Sequence, residues 1–323
     1  MPLISKITPA TIREAAKALA RGDLVAFPTE TVYGLGADAK NEIAVKKIYE
    51  AKGRPADHPL IVHISNLRLI SEWTRQLPDY ANKLAIAFWP GPMTLILPRT
   101  QLAGDFITGG QDSVGIRIPN QKNALSLLEK FEKHGGLGVA APSANRFGKV
   151  SPTTAGAVEE ELGAYLSLND KILDGGLCNV GLESTIIDCT SESPMILRPG
   201  AITQSMIFET TNMNPVTEIT SKLKAPGLLA SHYAPNAQVV LDQNPQPGDG
   251  FIALKNIKTP PGVNRLAAPT TIDELARTLY ESLRYADRLQ IKSVHVHVTD
   301  TDGIATAIRD RLVRAAHKTN NLS

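Results

Sequence analysis

The apolar run Leu24-Val25-Ala26-Phe27 breaks directly into Pro28-Thr-Glu-Thr-Val-Tyr-Gly-Leu-Gly-Ala-Asp38, and this junction constrains the fold more than any other stretch. It reads as a strand ending in a polar, glycine-bearing loop ahead of a helix-like segment. Open α/β sheets place ligands at such exits, because a backbone approaches closely at glycine and strand-end hydroxyls project outward. Thr29, Glu30, Thr31 and Tyr33 are therefore the first candidates for a binding site.

The surrounding chain alternates short apolar runs with amphipathic helices. Thr8-Pro9 starts a helix whose inward residues are Ile12, Ala15, Ala16 and Leu19, and Gly22 ends it. Asn41 caps a second helix, with Val45, Ile48 and Tyr49 inward, that stops before Gly53 and Pro55 and so delivers Lys52 and Arg54 at its end. Leu60 to Ile64 and Met93 to Leu97 read as strands, with a helix from Asp79 to Phe88 closed by Trp89-Pro-Gly-Pro92. In Val114 to Ile118, Arg117 faces away from Ile116 and Ile118, so a guanidinium sits mid-strand and requires a partner. Gln121 to His134 is helical. Gly138 to Ala141 is a short strand that turns out through Pro142-Ser-Ala-Asn145 toward a helix start at Ser151-Pro-Thr-Thr154.

Strands at 171–173, 184–187 and 195–197 complete a mixed sheet, closing a first domain over residues 1–204. Periodicity fades over 205–236, which reads as a linker. Strands at 238–241, 251–254 and 293–298 then alternate with helices at 271–289 and 303–316, giving a small Rossmann-like α/β domain over 237–323. Thr271 and Glu274 form the ends of an expected capping box. The fold class is therefore α/β: a large N-terminal domain with a twisted mixed sheet flanked by helices, plus the smaller C-terminal domain.

Charge and cysteine content narrow the function. The formal net charge of +2 gives no global pull toward nucleic acid or anionic membrane. Cys178 and Cys189 are too few for a disulfide framework and are not spaced as a metal or redox pair. No apolar stretch approaches the roughly 20 residues of a spanning helix, and residues 1–6 lack a secretory pattern. A cytoplasmic protein without a membrane partner is expected.

Lys52, Arg54, Arg117 and Arg198 recur beside glycine, proline and hydroxyl residues, as a site for a polyphosphate or carboxylate requires; the same four also fit a solvated surface. His63 fits either a satisfied core histidine or a ligand. Two runs, Gly34 to Ala39 and Gly136 to Ala141, match the relaxed dinucleotide pattern but lack its strand, helix and acidic context. Walker A, GxSxG and HExxH patterns are absent, which disfavours Ser143 as a covalent nucleophile and leaves it as a hydroxyl donor to an anion. His295-Val-His297 has a spacing metals accept but no third ligand in sequence, and Cys178 reads as an inert buried thiol.

Phe27 to Ala39, Lys52-Gly-Arg54-Pro, Trp89-Pro-Gly-Pro92, Ser113 to Arg117, Ala141-Pro-Ser-Ala-Asn145, Ser151-Pro-Thr153, Glu183 to Asp188, Arg198-Pro-Gly200 and Ala225 to Pro235 occur in one order. Taken together they resemble the threonylcarbamoyl-AMP synthase family, with a YrdC-like catalytic domain, in its long two-domain form. The resemblance implies that L-threonine and bicarbonate (or CO2) combine to N-carboxy-threonine, which attacks the α-phosphate of ATP with Mg2+ accompanying the nucleotide. Threonylcarbamoyl-AMP and pyrophosphate result, the first step of threonylcarbamoyladenosine formation beside the tRNA anticodon, with threonylcarbamoyl-transferase machinery and tRNA downstream.

It further implies a signature cluster of Lys52, Arg54, Ser143 and Asn145. ATP would be held by Arg54, His58, Ser113, Ser143, Ser151, Arg198, His232 and Tyr233, and threonine by Thr31, His63, Arg117, Ala141 and Ser184. His58 replaces the asparagine common in the family, and Leu229-Ala-Ser231 replaces a cationic stretch of some relatives. The linker is expected to fold over the cleft as a lid. Two alternatives stand beside this: a module that binds double-stranded RNA or tRNA without chemistry, and the carbamoyl-adenylate chemistry of hydrogenase maturation, which would need a larger multidomain chain.

Overall fold

The computed structural model describes residues 4–216, 223–227 and 233–317. In chain order its elements are β1 (Ile4–Lys6), α1 (Pro9–Arg21), β2 (Val25–Phe27), β3 (Gly34–Asp38), α2 (Glu42–Lys52), β4 (Ile61–His63), α3 (Ile70–Trp73), α4 (Asp79–Phe88), β5 (Met93–Pro98), α5 (Asp105–Thr108), β6 (Ser113–Arg117), α6 (Lys122–Glu132), β7 (Val139–Ala140) and α7 (Ala155–Leu162). There follow β8 (Lys171–Asp174), β9 (Thr185–Asp188), β10 (Met195–Arg198), α8 (Gln204–Thr211), β11 (Gln238–Leu241), β12 (Gly250–Ile252), β13 (Asn264–Ala267), α9 (Ile272–Arg288), β14 (Ser293–Val296) and α10 (Ile304–Ala316).

The first ten strands form one mixed sheet in the order β1-β8-β2-β3-β7-β4-β6-β5-β9-β10, and the last four a parallel sheet in the order β11-β14-β12-β13. Local chemistry explains most boundaries. The Thr8 side chain accepts from Thr11 N while Thr11 reaches back to Thr8 N, and Pro9 fills the first helical position. Asn41 caps α2, which ends at Gly53 in the left-handed region.

Three readings change. Gly34–Asp38, taken for a loop, is a strand antiparallel to β2, because its glycines leave room for a sheet packed on both faces. At Gly36 an added Cβ would stand 2.6 Å from Val139 and 2.8 Å from Phe27. Within the stretch read as linker, Gln204–Thr211 is helical, capped by Thr203 and seating Ile207 in the large core. Thr271 does cap α9 through Glu274 N, but the Glu274 carboxylate turns to Thr270 N and Oγ1 instead of closing the box.

Burial sets where the two parts meet. Trp73, Tyr33, Val45, Ile48 and Leu95 belong to the main core, while Val32, Val150 and Leu182 of the large part pack into the apolar cluster of the smaller one, with Leu275, Leu279 and Ile308. Arg284 on α9 bonds Glu161 at 2.9 Å and also donates to the Val150 carbonyl. Among the described residues no helix is long and apolar enough to cross a membrane.

Candidate active site

Several chain segments converge on one cavity. The β2–β3 loop supplies Thr29, Thr31 and Tyr33; the loop after α2 supplies Arg54; the ends of β4 and β6 supply His63 and Arg117. The exit of β7 adds Ala141 and Ser143, and the β9–β10 pair adds Glu183, Ser184 and Arg198. His63 and Arg117 stand side by side because β4 and β6 are parallel and in register there.

The β2–β3 loop is locked internally. Thr29 Oγ1 donates to Val32 O at 2.7 Å and accepts from Thr31 N and Val32 N, and Tyr33 Oη bridges Gly176 O and Gly175 N. The partner that Arg117 required is Glu30, 2.7 Å away, with both side chains nearly fully buried. Ser184 Oγ is bonded to Thr94 Oγ1 at 2.8 Å, and Arg198 donates to Ser184 O, Ser184 Oγ and Pro226 O.

Burial governs the protonation states. It pushes Arg54 down to about 10, partly offset by Tyr49, and lowers Arg198 as well. His63 is driven to about 3 by burial and then by Arg117, so its ring is neutral at physiological pH. Among the described residues, Nδ1 of His63 and Nε of Arg54 are buried without a hydrogen-bond partner, the condition of groups that await a ligand.

The sequence candidates divide into two groups. Arg54, Ser143, Arg198 and Tyr233 line the cavity, as do Thr31, His63, Arg117, Ala141 and Ser184. Lys52 and Asn145 do not: Lys52 Nζ donates to the carbonyls of Ser143 and Asn145, and Asn145 Nδ2 donates to Arg146 O and Lys149 O. Both lie behind the wall and hold the loop that presents Ser143. Ser151 is also one layer back, donating from Oγ to Glu183 at 2.5 Å. Ser113 starts β6 at the end opposite Arg117, and His58 packs edge-on against Phe147 at 5.3 Å, with neither on the cavity wall. His232 and residues 229–231 lie outside the described residues.

Glu183 is the residue that sequence reasoning missed as a functional group, although it opens a quoted motif. A carboxylate amid guanidiniums has no signal in sequence, since its counter-ions come from a distant segment. In the C-terminal part, His295 Nδ1 and His297 Nε2 both face the Gln243 carbonyl and His295 Nε2 lies 3.2 Å from Asp249.

No group of three His, Cys, Asp or Glu side chains suited to a metal occurs among the described residues, and Glu30 and Glu183 are each engaged by an arginine.

Known proteins resemble this chain over most of its length. The Sua5/YciO/YrdC family model, described as telomere recombination, matches residues 17–200, and the model described as the threonylcarbamoyl-AMP synthase C-terminal domain matches residues 202–317. The chain is 39% identical to a threonylcarbamoyl-AMP synthase of Pyrococcus abyssi over 94% of each chain, and 37% identical to that of Bacillus subtilis over 94% of this chain and 92% of the other. The crystal structure of P. abyssi Sua5 complexed with L-threonine superposes with a TM-score of 0.87, at 36% identity, covering 98% of this chain and 97% of that one. The chain thus belongs to the threonylcarbamoyl-AMP synthase family, in its two-domain form.

Proposed function

We propose that this chain makes L-threonylcarbamoyl-AMP and pyrophosphate from L-threonine, bicarbonate or CO2, and ATP, as the first step of tRNA threonylcarbamoyladenosine modification. The observation that carries this is the convergence of three buried guanidiniums, Arg54, Arg117 and Arg198, with the hydroxyls of Thr31, Ser143 and Ser184 around one cavity. Relatives that match over nearly the whole chain carry the synthase name, and L-threonine occupies a crystal of one of them.

The chemistry needs no enzyme nucleophile. The carboxylate of N-carboxy-threonine attacks the α-phosphorus, the bond to the bridging oxygen breaks, and pyrophosphate leaves with that electron pair. Two anions must meet, so preorganised positive charge in a dry cleft is the main requirement. Arg117, already paired with Glu30, presents its remaining donors to the threonine carboxylate, and neutral His63 offers a ring nitrogen without adding charge. Arg54 and Arg198 take the phosphates, with Ser143 beside them. Magnesium would arrive on ATP and shield its phosphates. The product would pass to the threonylcarbamoyl-transferase machinery and tRNA.

An RNA-binding module is not favoured, because its cations would be spread over an accessible face, whereas these three arginines are buried in one cleft. Pyrophosphate release from ATP, with threonine and bicarbonate omitted in turn and the nucleotide identified by mass, is the test. Release requiring both, with threonylcarbamoyl-AMP formed, is expected; ATP binding without product would refute the assignment.

A further inference from the structure

Glu183 stands on the cavity wall as a carboxylate among guanidiniums, and the groups that hold it come largely from the other domain. Its Oε1 accepts from Ser151 Oγ at 2.5 Å, and its Oε2 accepts from Tyr280 Oη on α9 and from Arg311 Nε on α10, each at 2.9 Å. Tyr280 and Arg311 are each 1% exposed. Arg311 also donates from Nη1 to Asp310 at 2.5 Å and from Nη2 to Pro199 O at 2.9 Å, and its guanidinium lies 5.3 Å from the centre of the Tyr233 ring. Tyr233 in turn stacks on Tyr280 at 5.9 Å. Arg198, the nearby guanidinium of the large domain, directs donors to Ser184 and Pro226 instead of to Glu183.

We propose that Arg311 is a positioning residue through which the second domain sets the charge of the catalytic cleft: it neutralises Glu183, so that Arg198 stays available to the nucleotide. The proposal rests on the reading of this cleft as the ATP site. A bare carboxylate on the wall of a polyanion site repels phosphate strongly at low dielectric. Without Arg311, Glu183 is left buried and unpaired, or captures Arg198; either way the phosphates lose attraction. Ser151 fits the same picture, since its proton is committed to Glu183 from behind the cavity wall.

The tests use the full-length chain. Wild-type turnover to threonylcarbamoyl-AMP checks the reading of the site first, so a failure of that reading appears before any variant is compared, and it overturns this proposal too. Titration with ATP and, separately, with L-threonine then compares Arg311→Gln, Glu183→Gln and the double variant. Arg311→Gln is expected to weaken ATP binding on the order of 10- to 100-fold while threonine binding moves less than about 3-fold. Glu183→Gln, which removes the negative charge and keeps hydrogen-bonding capacity, is expected to bind ATP at least as tightly as wild type. The double variant is expected to return to within about 3-fold of wild type.

A merely structural Arg311 gives another pattern: the double variant is as weak as Arg311→Gln, and Glu183→Gln is weakened too. Either result overturns the proposal, as does unchanged ATP affinity in Arg311→Gln. If Arg311→Gln fails to fold, the Glu183→Gln titration decides by its sign. Infrared spectroscopy supplies a readout independent of ATP. At about pH 5 the difference spectrum against wild type is expected to show an extra protonated carboxyl band in Arg311→Gln and none in the double variant, and its absence from Arg311→Gln counts against the proposal.

Discussion

At the scale of single residues, position in the cleft separates groups that sequence motifs treat alike. Lys52 and Arg54 share one motif, yet Arg54 reaches the cavity while Lys52 is buried behind it against two carbonyls. Arg54→Ala is expected to lower kcat/KM on the order of 10²-fold with the melting temperature nearly unchanged, as for loss of one preorganised donor. Lys52→Ala should lower stability and turnover together, because it frees the loop carrying Ser143. Activity and thermal unfolding of both variants check this, and a stable, inactive Lys52→Ala protein would contradict it. His63 makes a second prediction. Its folded value near 3 lies below the ordinary 6.5, so below pH 6.5 the unfolded chain takes up a proton that the folded one refuses. Stability is therefore complete above pH 6.5 and falls as pH drops toward 3, by on the order of 2 kcal/mol at pH 5. Glu183, held at about 2, adds a further loss only below its ordinary 4.5. Chemical denaturation at pH 7 and pH 5 should show this loss shrink in His63→Gln. Half-buried His58 is lowered as well, so His58→Gln is the control. Equal slopes in wild type and His63→Gln would refute the assignment. Arg117 was legible from alternation alone, down to its need for a partner, but Glu30 could be named only once the β2–β3 loop was folded.

At the scale of elements, most helices could be read because their caps are local: Thr8, Asn41, Thr154 and Thr271 each sit where a side-chain oxygen meets the first turn. Strands without such signals were harder. Gly34–Asp38 has the composition of a loop, and only the tight approach of Phe27 and Val139 makes glycine the residue that fits. β1 and β13 are short sheet-edge strands whose pairing depends on a distant partner, and neither showed in the local pattern. The same packing gives a prediction. Gly36→Ala puts a Cβ into Val139 and Phe27, and is expected to cost about 1–3 kcal/mol in urea denaturation. A variant as stable as wild type would mean that β2 and β7 yield more than their burial suggests.

At the scale of the molecule, sequence separated two domains but gave no sign that they share a core and a charge network, because the residues involved are more than 90 positions apart. A tight backbone approach between them falls at Gly181, two residues before Glu183. Its φ is +79°, and an added Cβ would stand 2.5 Å from Arg277 Cα and 2.7 Å from the carbonyls of Ala276 and Arg277. Backbone on a packed helix cannot swing aside as a side chain can, and Arg277 is about one turn before Tyr280 on α9. Gly181→Ala must therefore push α9 away from the large domain and, with it, Tyr280 and Arg311 away from Glu183. Gly176 gives the control, since it has φ +76° in the same loop with nothing within 4 Å of an added Cβ. Gly176→Ala is expected to lose only the backbone term of about 1 kcal/mol and to keep ATP affinity. Gly181→Ala is expected to lose about 2–4 kcal/mol, the backbone term plus overpacking, and to bind ATP more weakly in the same preparation. Denaturant unfolding and ATP titration of the pair decide it. Equal losses of stability with ATP binding intact in both would show that the domain contact supports the fold without reaching the cleft.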